Sequence, residues 1–402
     1  MRSRHRTLFA ALMNQRDHSL DFLKGIGCML MVFSHASYVH AGSAWLFALA
    51  TVATFLGRLA PILFFSVSGV VNALQAKRRP LRYFAVFAGL FAVLGLIYNA
   101  YWRPDLRGGI ECDIPQIVAM TILTTVIVEK AFANPTLGYG LVAGVLFLLH
   151  FAVGPFVPEF PGRNFLFIPR GDAGVFPPIP WLIFPMFGNI AYRLSDKTVR
   201  IIATTLVIVL VTAMAVTWPL LSREAFWPFW TDKYAMPLGY FLISVTLLFT
   251  IYAIMRGWGK ALIHPLITYI GRNSFPFMFI HLIWITVFKH FAAQTAWPAH
   301  DLFYAPLFVW PLVLVLTVAT VSFFDRLNKR YAEKLFLSPI AWVIYATALA
   351  AQLIFWHDYT LLLYALGLVF AYEYRPLAQA LKAYFTPKVP PTTRKPRQPI
   401  SV

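Results

Sequence analysis

Lys24 and His35 are the residues whose types and spacing most suggest chemistry. In the stretch Leu20-Asp21-Phe22-Leu23-Lys24 through Ser34-His35-Ala36-Ser37-Tyr38, an ammonium and an imidazole stand eleven residues apart. Eleven helical steps of about 100° return to within roughly 20° of the start, so both lie on one face, about 16 Å apart along the axis. Cys28 and Met31 fall between them. A neutral imidazole, with an ordinary pKa of about 6.5, can take a proton from a hydroxyl or amine as that group attacks an acyl carbonyl. An ammonium suits the phosphate or carboxylate of a donor. Both have plainer readings: His35 as an interfacial helix-end residue like His40, Lys24 as a snorkelling anchor neutralised by Asp21.

Two later segments carry further candidates. Phe64-Phe65-Ser66-Val67-Ser68-Gly69 places hydroxyls and a glycine inside an apolar run, where small residues allow close helix packing. Arg58 lies just before it and suits an anionic acceptor or lipid headgroups. Tyr269-Ile270-Gly271-Arg272-Asn273-Ser274 leads into Phe277-Met278-Phe279-Ile280-His281. Asn273 and His281 are separated by about 80° around a helix, so they can line adjoining parts of one cavity. Pro276 is consistent with a helix beginning near Ser274. A histidine deep in a membrane needs a partner, structural or substrate.

The elements that must position these groups are membrane helices. Of 402 residues, 59% are hydrophobic and only 12% charged. Apolar runs of about 20 residues recur from end to end. Twelve spans are expected, at about residues 20–41, 50–75, 83–101, 114–133, 137–153, 176–194, 200–219, 236–255, 268–292, 306–324, 338–356 and 360–374. The fold class is thus all-α, a polytopic bundle of about 12 (10–12) helices with both termini cytoplasmic. The net charge of +18 has a topological explanation. With the amino terminus inside, about 26 of 34 Lys and Arg fall on the inner side and about seven outside. Such a bias fits topology and anionic lipid rather than a nucleic-acid partner.

Residues 1–19 read as an uncleaved cytoplasmic or interfacial segment, 20–375 as one membrane domain, and 376–402 as a basic, Pro-rich, disordered tail. Cys28 and Cys112 are too differently placed for a disulfide framework. The prolines of Phe176-Pro177-Pro178-Ile179-Pro180-Trp181 disfavour regular helix until about Trp181. His150, His264, His290 and His357 fall at span ends or in loops and read as interfacial.

Taken together, three segments resemble the acyltransferase 3 family of integral membrane acyltransferases. Its members have an arginine, ten residues and a histidine in the first span, a Phe-Phe-x-x-Ser-Gly type segment in the second, and Gly-x-Asn-Ser … His in a late one. The corresponding residues are Lys24 and His35, Phe64 through Gly69, and Gly271, Asn273, Ser274 and His281. Pro180-Trp181 and Asn273-Ser274 also look like the related heparan-alpha-glucosaminide N-acetyltransferase branch. Lysine stands where the family has arginine, and a point-charge ammonium does not reproduce a bidentate guanidinium.

The resemblance implies transfer of an acyl group, with acetyl expected, from cytoplasmic acyl-coenzyme A to a hydroxyl or amine of a cell-envelope carbohydrate or lipid-linked glycan. It also implies a multi-pass protein of a bacterial inner membrane, with acyl-CoA as co-substrate and no bound cofactor or metal. His35 would be general base or, as the lesser alternative, an acylated nucleophile. Lys24 would hold the donor. Ser68, Asn273 and His281 would shape the cavity or polarise the thioester carbonyl, with Phe65, Arg58, Trp181 and Arg272 as secondary candidates. The rival reading is a proton-coupled secondary transporter with His35 and His281 as relay groups. It is weakened by an interior nearly devoid of carboxylates, since Asp325 and Glu373 stand at span ends. A catalytically inactive scaffold is the third possibility.

Overall fold

The computed structural model describes residues 17–36, 52, 55–102, 112–158, 163–167, 176–294, 306–331 and 384–385. These residues form helices and connecting turns, with no strand among them. We number the longer helices α1 (His18–Ala36), α2 (Ala60–Ala76), α3 (Leu81–Trp102), α4 (Ile114–Ala131), α5 (Pro135–Leu148), α6 (Ile183–Arg193), α7 (Asp196–Leu220), α8 (Arg223–Thr231), α9 (Leu238–Leu262), α10 (Pro265–Arg272), α11 (Ser274–Gln294) and α12 (Pro306–Tyr331). Among the described residues, six helical segments are long and apolar enough to cross a membrane: Phe55–Ala76, Ile114–Ala131, Pro135–Phe156, Asp196–Leu220, Leu238–Gly257 and Phe308–Leu327. Helix α1 falls outside that set because its polar stripe lowers its hydropathy. It is lodged instead among α2, α10, α11 and α12.

Local chemistry sets the helix starts. Asp113 accepts the Ile114 N–H at 2.6 Å, and Gln116 closes a capping box back onto the Asp113 N–H at 3.0 Å. Asn134, Ser195 and Ser222 cap α5, α7 and α8. Prolines in the first turns of α2, α4, α5 and α10 lack only N–H groups that would have no intrahelical acceptor. At the other end of α6, the Arg256 guanidinium of α9 donates to the carbonyls of Ala191 (2.9 Å), Tyr192 and Leu194 and to Asp196. One cation thus satisfies the orphan carbonyls of α6 and ties α9 to the α6–α7 turn.

Close approach of backbones holds the centre together. A Cβ on Gly271 would lie 1.7 Å from the Asp21 carbonyl oxygen, and one on Gly25 2.0 Å from that of Ile267. These two glycines let α10 lie directly against α1. Gly69 meets Pro185 and Gly188 meets Ser66 in the same manner, closing α2 onto α6. The small residues around Ser66 and Gly69 are therefore packing devices, as their positions in the sequence suggested. At the periphery the pattern inverts. Leu137, Leu141, Val145 and Leu148 form an exposed stripe on α5, and α7 exposes Ile201, Ile208, Val211 and Leu220. Apolar faces this long mark a surface that meets lipid rather than water.

One expectation is corrected. Residues 268–292 do not make one span: the helix breaks at Asn273, leaving the short α10 packed on α1 and a separate α11. The physical reason is Asn273 itself, whose φ of −106° and ψ of 19° end α10 while its carbonyl accepts from Phe277 N–H and begins α11. Arg223 and Glu224 open helix α8, which Ser222 caps. As the prolines imply, residues 176–182 form only a short helical turn, Pro178–Trp181, with Ile179 non-helical, and regular helix begins at Ile183. The spans expected at 338–356 and 360–374, the tail at 376–402 apart from 384–385, and the segment before 17 lie outside the described residues, as do His40 and His357.

Candidate functional site

Helix α1 is unbroken from His18 to Ala36, so Lys24 and His35 keep the shared face their spacing predicts. His35 does not stand alone. Its Nδ1 lies 3.0 Å from Nε2 of His281 on α11. The rings are within 6° of parallel with centroids 5.2 Å apart, which is the edge-to-edge arrangement of an in-plane N–H···N bond. His281 is fully buried, and its Nδ1 is 2.9 Å from the Phe277 carbonyl oxygen.

These contacts assign the protons when both rings are neutral. A carbonyl only accepts, so His281 Nδ1 carries the hydrogen and His281 Nε2 the lone pair. His35 Nδ1–H must then donate to His281 Nε2, leaving the His35 lone pair on Nε2. The deep partner that His281 required is His35. The pair makes a directional chain from a backbone carbonyl, through two imidazoles, to a basic nitrogen on α1. Such second-ring orientation fixes both tautomer and aim.

Lys24, at the other end of the face, is half-buried and lines a cavity of about 190 Å³ between α1, α2, α3, α4 and α11. Its polar lining includes Ser68, Asn72, Gln75, Tyr83 and Ser274, while Phe84, Phe87 and Phe91 of α3 supply an aromatic wall. Asn72 Nδ2 donates to Ser68 Oγ at 3.4 Å. Sequence reasoning placed Lys24 and Ser68 here but missed Asn72 and Gln75. Their signal was present: positions 68, 72 and 75 repeat at helical spacing on one face of α2. Tyr83 gave no such signal. Among the described residues neither His35 nor His281 lines this cavity. Met278, one turn before His281, does.

The remaining candidates separate into two groups. Asn273 is 2% exposed, and its Nδ2 donates to the Tyr269 carbonyl at 2.8 Å, so it holds the α10–α11 break. Arg272 binds Asp21 Oδ2 at 3.3 Å and His18 Nδ1 at 2.7 Å, fastening α10 to the start of α1. Phe65 and Trp181 are fully buried, in edge contact with each other and with Phe176. These residues build the frame rather than face the cavity. Arg58 lies at the His35 end, where its Nη1 donates to the Thr231 carbonyl at 2.5 Å and its own carbonyl accepts from Tyr240 Oη–H at 2.7 Å. His264 caps α10 through Nδ1, and His150 Nε2 meets the Met236 carbonyl at 3.1 Å, both structural contacts. Both cysteines are free, and no metal-ligand cluster occurs among the described residues.

In comparisons with known proteins, no family model and no curated protein matches the chain. The likeness to acyltransferase 3 proteins therefore rests on the motifs themselves.

Proposed function

We propose that the protein is a membrane-embedded acyltransferase that moves an acyl group, acetyl by resemblance, from acyl-coenzyme A to a hydroxyl or amine of a cell-envelope carbohydrate or lipid-linked glycan. The observation that carries this reading is the His35–His281 hydrogen bond, which leaves a basic ring nitrogen on the same helix face as the Lys24 cavity. In this reading His35 Nε2 takes the proton of the attacking hydroxyl or amine as the new acyl bond forms and the thiolate of coenzyme A departs. His281 is a positioning residue that holds the His35 ring and stabilises the imidazolium.

Lys24 supplies a positive charge beside the cavity for the donor. At about 190 Å³, this cavity is smaller than the roughly 300–1,000 Å³ of sites that enclose whole drug-sized ligands. It suits the narrow thioester arm of coenzyme A, with the nucleotide left outside. Holding the thioester carbonyl against the acceptor supplies orientation, a large catalytic contribution in its own right. Lys24 would lie on the cytoplasmic side and His35 toward the opposite face of a bacterial inner membrane, as the distribution of basic residues implies.

The test uses purified protein in lipid nanodiscs with radiolabelled acetyl-CoA and envelope glycan extract. Label should pass to the glycan fraction with release of coenzyme A thiol, and His35→Ala should abolish both. Full transfer by His35→Ala would remove the catalytic assignment. Solute uptake into vesicles with no covalent product would favour the transporter instead.

A further inference from the structure

We propose that Arg58 and Lys233 form a binding site for an oxyanion, a phosphate or carboxylate group carried by the acceptor, at the His35 end of the bundle. The anion site stands on its own geometry; its assignment to the acceptor rests on the acyl-transfer reading.

Lys233 lies between α8 and α9 and is only 8% exposed. Its Nζ sits 5.3 Å from the ring centre of Phe176 and 4.6 Å from that of Tyr234. Among the described residues it makes no hydrogen bond or ion pair. Arg58 uses Nη1 on the Thr231 carbonyl, but its Nε is buried and finds no hydrogen-bond partner among the described residues. Buried polar groups in folded proteins are nearly always satisfied, and each exception needs a physical explanation. Here the Nε–H of Arg58 is such an exception, with the ammonium of Lys233, held only by aromatic rings, as its neighbouring cation.

The charges around them do not resolve it. Burial, then repulsion from Arg58, pushes the Lys233 ammonium down to about 8, and Arg58 outweighs either Asp113 or Asp232, which act in the opposite direction. Both carboxylates are turned to backbone donors: Asp113 accepts from Ile114 N–H, and Asp232 Oδ1 accepts from the N–H groups of Tyr234 (2.8 Å) and Ala235 (3.1 Å). The guanidinium cannot give up its proton to relieve the repulsion. An incoming oxyanion would satisfy the idle Nε–H and the ammonium together, through charge-assisted hydrogen bonds.

Position connects this pair to His35. Gly57, next to Arg58, packs so closely on Ser34, next to His35, that a Cβ there would lie 2.0 Å from the Ser34 Cβ. An anionic group held by Arg58 and Lys233 would thus anchor a substrate alongside the imidazole, at the end of α1 away from Lys24. The acceptor class implied is an acidic or phosphorylated one, such as a uronate sugar or a lipid-linked glycan phosphate.

The experiment uses the full-length protein in zwitterionic nanodiscs, with lysines reductively ¹³C-methylated and the Lys233 signal assigned by its loss in Lys233→Met. Without phosphate, Lys233 should titrate near 8. Inorganic phosphate should raise that midpoint by a unit or more, and Arg58→Gln should abolish the rise. Arg58→Lys, which keeps a cation, should fold and retain part of it. A wild-type midpoint indifferent to phosphate at every concentration overturns the site. If phosphatidylglycerol in the nanodisc reproduces the shift without phosphate, the ligand is a lipid headgroup and the acceptor assignment falls. If phosphate binds and Arg58→Gln raises the KM for glycan but not for acetyl-CoA, the acceptor assignment is supported; equal KM values for glycan overturn it. Absence of acyl transfer by the wild type would remove that assignment while leaving the phosphate shift to decide the site.

Discussion

The two ends of α1 bring a lysine into play in opposite ways. Lys24 is half-buried and borders a cavity with Ser68, Asn72 and Gln75 at hand. Lys233, at the far end, is buried against aromatic rings with Arg58 for a charged neighbour. The same ammonium therefore borders a polar-lined cavity in one place, and is held at an electrostatic cost in the other. At that far end stands an imidazole pair whose protons are placed by a backbone carbonyl. The difference teaches that a cation's meaning in a membrane bundle comes from what surrounds it: a polar cavity lining at the Lys24 end, burial beside a second cation at the Lys233 end.

The largest expected effect falls at the imidazole pair. In the proposed reaction His35→Ala should lower turnover by about 10²- to 10⁴-fold, measured as acetyl transfer with circular dichroism confirming the fold. Next comes the buried lysine. Folded Lys233 releases its proton at about 8 against an ordinary 10.5, so between those values the unfolded chain holds a proton that the folded chain does not. Stability in phosphate-free buffer should rise with pH through that window, by about 3 kcal/mol, the deficit being complete below 8. Lys233→Met should flatten this slope in a denaturation series; an unchanged slope would show that the lysine is solvated.

Smaller effects probe the frame and the other end. Gly271→Leu must push α10 off α1, because the clash is with the Asp21 carbonyl rather than a flexible side chain. A loss of about 1–3 kcal/mol is expected, read as a lower unfolding midpoint in detergent. Lys24→Met should raise the KM for acetyl-CoA by roughly 10- to 100-fold, the equivalent of one charge-assisted contact, with the KM for glycan unchanged. Equal change in both constants would erase the contrast between the two ends. His281→Leu removes the acceptor for His35 Nδ1–H and should lower kcat by about tenfold. His281→Gln, whose carbonyl oxygen can accept that hydrogen, should recover part of the loss.

Much of this arrangement was legible in the residues. The helical spacing of Lys24 and His35, the break implied near Ser274 by Pro276, and the packing role of Ser66 and Gly69 all follow from local geometry. The extent of α10 was not legible, because Thr268 through Gly271 are apolar enough to extend a neighbouring span. Its separate identity depends on the Asn273 backbone and on glycine contacts with α1. Asn72 and Gln75 carried a periodic signal that was overlooked beside the more conspicuous serines. Lys233 carried none: a lysine next to Asp232 gives no local sign of burial, which comes from packing against Phe176 and Tyr234.

The sequence alone determined that this chain builds apolar helices and that one of them carries an ammonium and an imidazole on a common face, since periodicity and hydropathy are local properties. Only the tertiary structure decided which imidazole His35 would meet, which nitrogen would keep a lone pair, and which cations would be buried together. Those outcomes depend on residues hundreds of positions apart, brought to bonding distance by glycine-mediated helix contacts, and no spacing along the chain encodes such distances.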